Sequence, residues 1–200
     1  MDSPGLREKK KDRTRAALAS ATLKLFLRQG FEATTVDEIA RAADVAPRTF
    51  FRYFPSKEAV IFEGQDQEDQ AFIAALRQRT RGESDLDALL RASRTLPRRN
   101  ETTEDLQHLV HLIVTTPALL ARAAHVVAAS QKRIAAALLG VKSSQAAHRR
   151  AQVLVAAYVG GFVAAVLARV EAREALDLRA IAVEVGALLK SGFAPARRSD

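Results

Sequence analysis

The sequence predicts an all-α protein of about nine helices. Apolar residues recur at three- and four-residue spacings along most of the chain, and no segment shows the regular alternation of a half-buried strand. Proline and glycine interrupt the pattern where helices should begin or end. Because 48% of the 200 residues are apolar, the chain can form a hydrophobic core. We expect two domains, a small one over residues 1–57 and a larger one over residues 58–200.

The first helix is expected over residues 12–29. Its mostly apolar face follows helical spacing and consists of Leu18, Ala21, Thr22, Leu25 and Phe26. Gly30 follows where a left-handed residue commonly ends a helix, with Phe31 as the usual apolar partner. The basic segment LREKKKDRTR, residues 6–15, is expected to be an arm along an anionic partner, and residues 6–11 fit a flexible solubilising tail equally well. Residues 1–10 and 193–200 are expected to fray.

Two short helices joined by a tight turn are predicted over residues 35–57. Thr35 and Glu38 fit the capping-box pattern at the start of the first of them. Pro47 suits the first position of the second, expected over residues 47–54, because the missing N–H of proline costs nothing there. This arrangement is a helix-turn-helix, although ordinary helical hairpins have the same outline.

Six further helices are predicted in the rest of the chain. Their expected ranges are 57–79, 85–95, 104–115, 117–139, 145–173 and 177–191. Breaks are expected at Gly82, over a loop at 96–104 and at residues 140–144.

The charge of the chain favours an anionic partner. The net charge is +8, and residues 1–57 hold 12 Lys and Arg against 7 Asp and Glu, a net of +5. The absence of cysteine excludes disulfides, thiolate metal sites and thiol nucleophiles. The first residues are polar, and the longest apolar run, residues 153–168, is shorter than the roughly 20 residues of a membrane-spanning helix. We therefore expect a cytoplasmic, nucleoid-associated protein with no membrane partner.

The predicted third helix has a packing face and a basic face. Phe50 and Phe54 lie four residues apart and share a face with Pro47, which we expect to pack against the other helices. The opposite face carries two guanidinium groups and a hydroxyl, those of Arg48, Arg52 and Thr49. Arginine suits DNA because its planar fork bonds guanine or phosphate bidentately. A basic face exposed only to solvent is the alternative.

Residues 13–62 resemble the N-terminal domain of the TetR family of bacterial transcriptional regulators (TetR/AcrR type). The matching segments are LF at 25–26, GF at 30–31, TTVDEIA at 34–40, ADV at 43–45 and TFFRYFPSKE at 49–58. The resemblance implies a three-helix DNA-binding domain followed by a larger helical domain for ligand binding and dimerisation. The remaining three quarters of the chain match only in being helical and of suitable length.

The resemblance assigns DNA contacts to residues of the small domain. Thr35, Tyr53 and Lys57 match positions that usually contact phosphates, and the start of the third helix matches the base-reading positions. Together with basic and flanking residues, the predicted DNA-binding set is Arg13, Arg15, Thr35, Pro47, Arg48, Thr49, Phe51, Arg52, Tyr53 and Lys57.

Two positions depart from the family pattern. Ala46 stands where the family often has a serine that caps the recognition helix, and loss of a cap costs about 1 kcal/mol. Phe51 stands where the family often has tyrosine, so the hydroxyl that would reach the DNA backbone is missing. We expect Arg48 and Arg52 to compensate electrostatically.

The last two predicted helices, 145–173 and 177–191, suit a homodimer interface. The first is rich in small residues that permit close helix approach: Ala156, Ala157, Gly160, Gly161, Ala164 and Ala165. The second carries an apolar stripe of Leu178, Ile181, Val185, Leu188 and Leu189. Two such helices from each subunit would form a four-helix bundle across a two-fold axis. Alternatively, both faces only fill the core of the monomer.

The effector is expected to be a small, largely apolar molecule. Its predicted site consists of aromatic, apolar and polar residues on otherwise apolar helices: Phe72, Leu76, His108, His111, Leu112, His125, Tyr158 and Phe162. His108 and His111 are three residues apart, but without cysteines or a suitably spaced carboxylate we expect no metal site.

The leading hypothesis is a homodimeric repressor that binds a palindromic, double-stranded operator and is released by a small molecule. An enzyme is disfavoured because the sequence has no glycine-rich phosphate loop, nucleophile elbow or convincing acid–base pair. We therefore expect no catalytic residues and no cofactor. An activator or an architectural DNA-binding protein fits the same sequence.

Overall fold

The structure is a computed structural model that describes residues 5–96, 103–139 and 143–192. Within these ranges it contains ten α-helices and one short 3-10 helix, and no strand, so the predicted all-α class is confirmed. The helices are α1 (Leu6–Gln29), α2 (Val36–Ala42), α3 (Pro47–Tyr53), α4 (Lys57–Ile61), α5 (Gln65–Arg77), α6 (Asp85–Ala92), α7 (Thr103–Thr115), α8 (Pro117–Ala137), α9 (Gln145–Glu171) and α10 (Leu178–Ser191). The 3-10 helix, Ser93–Thr95, follows α6 directly.

The start of the first helix was predicted wrongly. Helix α1 begins at Leu6 rather than residue 12, so the basic segment over residues 6–15 is helical, including residues 6–10, which were expected to fray. Gly30 ends the helix with a φ of +81° but a ψ of 170°, which lies outside the left-handed helical region expected for it. A positive φ still favours glycine at this position.

The predicted helix over residues 57–79 is two helices, α4 and α5. They are separated at Gly64, which has a φ of +86° and a ψ of −13° and so adopts the left-handed conformation. A left-handed residue cannot continue a right-handed helix, and glycine adopts it without steric cost. This break accounts for ten α-helices where about nine are expected.

The remaining predicted boundaries lie within a few residues of the observed ones. The expected loop at 96–104 and the break at 140–144 fall largely outside the described residues, as does the C-terminal segment 193–200. Asp177 caps the start of α10: its carboxylate accepts hydrogen bonds from the backbone N–H groups of Arg179 and Ala180 at 3.0 and 3.1 Å.

The chain forms two compact units. The first comprises Met1–Glu63 and His111–Ala123, and the second comprises Gly64–Val110 and Ala124–Asp200. The core of the first unit consists of the buried side chains of Leu18, Leu25, Ile39, Phe50, Phe54 and Val60.

The second unit has a larger core, to which α5, α6, α9 and α10 contribute. Helix α10 lies very close to α6 at Gly186, where an added Cβ would be 2.0 Å from Cδ2 of Leu90. Only glycine permits this approach without moving the leucine. Helix α9 buries Ala151, Val155 and Tyr158 against the core and leaves its other side exposed.

Candidate nucleic-acid interface

Helix α2 begins with the predicted capping box. The hydroxyl of Thr35 accepts from the backbone N–H of Glu38 at 3.2 Å, and the Glu38 carboxylate accepts from the backbone N–H of Thr35 at 2.9 Å. These bonds satisfy backbone N–H groups that have no partner inside the helix. They also stabilise the ionised carboxylate, so the backbone and hydroxyl hydrogen bonds of Thr35 lower the pKa of Glu38 below its ordinary value.

The turn between α2 and α3 is tight and contains a left-handed residue. Asp44 has a φ of +54°, a conformation that aspartate tolerates better than most residues. The backbone N–H of Val45 then donates to the carbonyl of Ala40 at 2.9 Å. Because both short helices are tied to this turn, their relative orientation is well defined, as a helix-turn-helix requires.

Helix α3 begins at Pro47 without a side-chain cap. Ala46 makes no side-chain hydrogen bond to the helix, as expected, and its carbonyl accepts from the backbone N–H of Thr49 at 2.8 Å. Pro47 is exposed, so it does not share the buried environment of Phe50. The prediction that Pro47 packs inward with the two phenylalanines is therefore wrong, because the first turn of α3 projects beyond the core.

Two phenylalanines hold α3 in place and leave the opposite side exposed. Phe50 and Phe54 are 0% and 1% exposed, with ring centroids 5.6 Å apart. Arg48 and Arg52 are exposed, and Phe51 is 59% exposed with its ring edge-on to Phe50. The outward face therefore presents two guanidinium groups and a phenyl ring on a rigid helix.

The other predicted residues of α3 lie at the border of this face. Thr49 and Tyr53 are half-buried. The guanidinium of Arg52 lies 5.2 Å from the centroid of the Tyr53 ring, within the range of a cation–π contact. Thr35 is exposed at the start of α2.

Lys57 makes contacts within the first unit. Its Nζ donates to the carbonyls of Phe31 and Thr34 at 2.7 and 2.8 Å and lies 4.1 Å from the centroid of the Phe31 ring. Two of the three donors of the ammonium are therefore used by the segment between α1 and α2. This differs from the expected phosphate clamp, because the side chain folds back over Phe31 instead of extending from the start of α4.

Arg13 and Arg15 have different environments on α1. Arg13 is exposed, whereas the Nη2 of Arg15 donates to Glu63 at 2.9 Å and its guanidinium lies 5.3 Å from the Phe54 ring centroid. The hydrogen bond to Glu63 raises the pKa of Arg15 above its ordinary value. Arg15 therefore links α1 to the end of the segment after α4, while Arg13 projects to solvent.

A cavity of about 210 Å³ lies within the second unit. Three of the eight predicted effector residues line it, Phe72, Tyr158 and Phe162. The other five are not among the residues that line this cavity: Leu76 is buried in the core, His108, His111 and His125 are exposed, and Leu112 is half-buried. In the described part of the chain, no group of His, Asp or Glu side chains could hold a metal ion.

Sequence reasoning missed the polar residues of this cavity, notably Asp69, Ser93 and Ser130. The position of Asp69 in the helical pattern could have revealed its place in the cavity. It is spaced three and seven residues from Phe72 and Leu76, which places a carboxylate on the apolar face of α5. A carboxylate in that position needs buried partners, and in the structure Ser130 donates to it at 2.7 Å.

Comparison with known proteins relates the N-terminal part of the chain to one family. The family model for bacterial regulatory proteins, tetR family, matches residues 18–63, which include α2, α3 and the turn between them. The HTH-type transcriptional regulator TcmR of Streptomyces glaucescens is 44% identical over 127 residues, or 60% of this chain. These matches support a TetR-family regulator whose residues 18–63 form a helix-turn-helix DNA-binding domain.

Solved structures of regulators share the fold. The fatty acid degradation regulator FadR from Bacillus halodurans superposes with a TM-score of 0.58 at 16% identity, covering 98% of this chain and 99% of FadR. A transcriptional regulator of the TerR/AcrR family from Aquifex aeolicus VF5 gives a TM-score of 0.57 at 18% identity, covering 90% and 99% of the two chains. The chain spans 56% of the length of TcmR.

Proposed function

We propose that this TetR-family protein is a homodimeric repressor that binds a palindromic operator and is released when a small molecule binds its second unit. The observation that carries the proposal is the outward face of α3, where Arg48 and Arg52 project from a helix anchored by Phe50 and Phe54. Recognition helices of this kind read base edges from the major groove. As a regulator of this kind, the protein would act beside the chromosome in the cytoplasm and carry out no catalysis.

A second copy of the chain is the proposed partner of α9 and α10. Helix α9 exposes small and apolar residues at helical spacing, with Val153 70% exposed and Gly160 open to the outside. Helix α10 adds Val183 and Leu188, which are 52% and 41% exposed. Contiguous apolar patches of this type mark interfaces, and two helices from each subunit would form a four-helix bundle.

The exposed side of α9 could also face lipid, since the helix is long and apolar enough to cross a membrane and only 17% of its most apolar window is buried. Its packing favours a protein partner instead. Arg169 of α9 pairs with Glu184 of α10, and Lys190 of α10 pairs with Asp87 of α6 at 2.6 Å. Helix α10 packs directly against α9, and placing its charged side chains in a bilayer core would be costly.

The dimer is tested by placing a charge on the exposed side of α9. Val153→Glu should convert a dimer into a monomer, so that the mass measured by light scattering falls from twice 21.8 kDa to 21.8 kDa, because an unpaired carboxylate would be buried between subunits. Ala175→Glu adds the same charge at an exposed position between α9 and α10 and should leave the mass unchanged. A wild-type protein that is monomeric at micromolar concentration would refute the dimer.

Repression is tested by transcription. Deletion of the gene should raise the transcripts of the genes whose promoters the protein binds, and a small molecule that binds the second unit should do the same. A fall in those transcripts on deletion would identify an activator instead. Release requires only that the ligand favour a conformation with lower operator affinity, so the two affinities must be coupled reciprocally.

A further inference from the structure

We propose that the cavity of the second unit takes an uncharged molecule with an apolar body and a hydroxyl or N–H donor, and that it discriminates against carboxylates. The role of this molecule as an effector rests on the proposed function, but its binding does not. The inference follows from the size of the cavity, its apolar walls and the polarity of the few hydrogen-bonding groups that line it.

The size of the cavity limits the ligand. Its volume of about 210 Å³ corresponds to roughly seven water molecules at about 30 Å³ each. Residues of α5, α8, α9 and α10 and of the 3-10 helix line it. A molecule about the size of two fused six-membered rings fits this space.

Apolar side chains form most of the walls. They include Phe72, Leu96, Val126, Ile134, Phe162 and Val163. Burial of an apolar ligand against such walls is favourable in proportion to the area removed from water. The walls therefore supply affinity, and the few polar groups determine which ligands are accepted.

One polar group of the cavity is the hydroxyl pair of Ser93 and Tyr158. Their oxygens are within hydrogen-bonding distance of each other, Ser93 Oγ is 2.8 Å from the carbonyl oxygen of Leu89, and the Tyr158 hydroxyl is 3.3 Å from that of Ala182. The two hydroxyl protons can serve only two of these three contacts at a time, and each such pair of contacts engages both protons with protein oxygens. What remains for a ligand is oxygen lone pairs, which accept hydrogen bonds.

Burial reinforces this assignment. Tyr158 is 4% exposed, and burial raises the pKa of its hydroxyl above the ordinary value, although the hydrogen bond with Ser93 acts in the opposite direction. The phenol therefore stays protonated at neutral pH and keeps its donor role toward the protein.

The second polar group is the carboxylate of Asp69, which is 5% exposed. It accepts from Ser130 at 2.7 Å, from Nε of Arg133 at 3.0 Å and from the amide of Gln65 at 3.0 Å. Arg133 also reaches Asp66 at 3.2 Å and is not among the lining residues. The positive charge of Arg133 is therefore paired with the carboxylates of Asp66 and Asp69.

The charge of the lining excludes anions. The described residues that line the cavity include two carboxylates, those of Glu68 and Asp69, and no lysine, arginine or histidine, although the whole chain carries a net charge of +8. A bound carboxylate would lose its hydration without gaining a cation and would lie near Asp69. An uncharged hydrogen-bond donor has no charge to desolvate and is not repelled by Asp69, and it can donate to the lone pairs of the Ser93 and Tyr158 hydroxyls.

The test compares two probes of equal ring size with the purified, DNA-free protein at neutral pH. 2-Naphthol is uncharged and carries a hydroxyl donor, whereas 2-naphthoate is a carboxylate. Their fluorescence reports binding directly because the chain contains no tryptophan. We expect 2-naphthol to bind at least tenfold more tightly than 2-naphthoate.

Two variants locate the binding. Val163→Phe fills the cavity and should abolish 2-naphthol binding, while Tyr158→Phe removes an acceptor oxygen and should weaken it about fivefold. Circular dichroism checks that both variants remain folded. If Tyr158→Phe does not fold, Val163→Phe still decides whether the probe occupies this cavity.

Equal or tighter binding of 2-naphthoate would overturn the inference, as would no binding of either probe or full binding to Val163→Phe. Because no DNA is present, these outcomes differ from a failure of the proposed function. That failure would appear as probe binding without any change in operator affinity.

Discussion

Replacement of Lys57 by methionine distinguishes a structural role from a DNA contact. The ammonium donates to the carbonyls of Phe31 and Thr34 and lies over the Phe31 ring, which is 4% exposed. Methionine keeps the length of the side chain but removes the charge and all three donors. The segment between α1 and α2 would then lose its connection to α4.

The expected loss of stability follows from these contacts. A hydrogen bond from a charged group contributes about 1.5–3 kcal/mol, and a cation–π contact about 0.5–1 kcal/mol. The lysine is half-buried, so water can replace part of what is lost. We expect Lys57→Met to lower the free energy of unfolding by about 2–4 kcal/mol.

Urea denaturation followed by circular dichroism measures this loss. Lys24→Met is the matched control, because it removes the same charge from an exposed position on α1 and should change stability by less than about 0.5 kcal/mol. The salt dependence of operator binding is measured in parallel, since loss of one phosphate contact lowers its slope by about 0.9. Unchanged stability together with a slope lower by about one would refute the structural role and restore Lys57 as a phosphate contact.

Three further predictions concern the same unit. Arg48→Ala should relax base preference at one operator position, by about 1–3 kcal/mol in selection or anisotropy experiments, because a bidentate contact is lost; a uniform loss over all sequences would indicate a phosphate contact instead. Phe51→Tyr should strengthen binding to operator and scrambled DNA alike, by about 1 kcal/mol, by adding a hydroxyl for the backbone; a gain on one sequence only would contradict this. The folded-state pKa of Glu38 is lowered, so its stabilising contribution is complete above its ordinary pKa near 4.5 and is lost as the pH falls through the lowered value. The difference in stability between wild type and Glu38→Gln should therefore be larger at pH 7 than at pH 3, and a difference independent of pH would refute it.

Local patterns predicted the helix-turn-helix well. The capping box at Thr35 depends on residues three apart, and its hydrogen bonds form as the sequence indicates. The burial of Phe50 and Phe54 follows from their four-residue spacing. Such features are set within one or two helical turns, so sequence periodicity is sufficient to find them.

Contacts between distant residues were not predictable in the same way. Lys57 bonds to carbonyls 23 and 26 residues away, and backbone carbonyls leave no trace in a sequence pattern. The hydroxyl pair joins residues 65 positions apart on different helices. The histidines were chosen for their residue type alone, and their positions on the helix surface depend on packing that one sequence does not reveal.

The break between α4 and α5 at Gly64 was not predictable for a different reason. The helical pattern continues on both sides of it, and an isolated glycine inside a helical pattern is often tolerated. Tertiary packing decides whether such a glycine continues the helix or adopts a positive φ. Here it has a φ of +86° and separates α4 from α5.

Selection of binding sites from a random double-stranded DNA library is the most direct test of DNA reading by α3. The purified protein should enrich an inverted repeat, one half-site for each subunit, and its affinity for that sequence should fall as salt concentration rises. Arg48→Ala should enrich a repeat with lower preference at one position in each half-site. Enrichment of no sequence over the starting library, at any salt concentration at which the protein remains folded, would contradict the account.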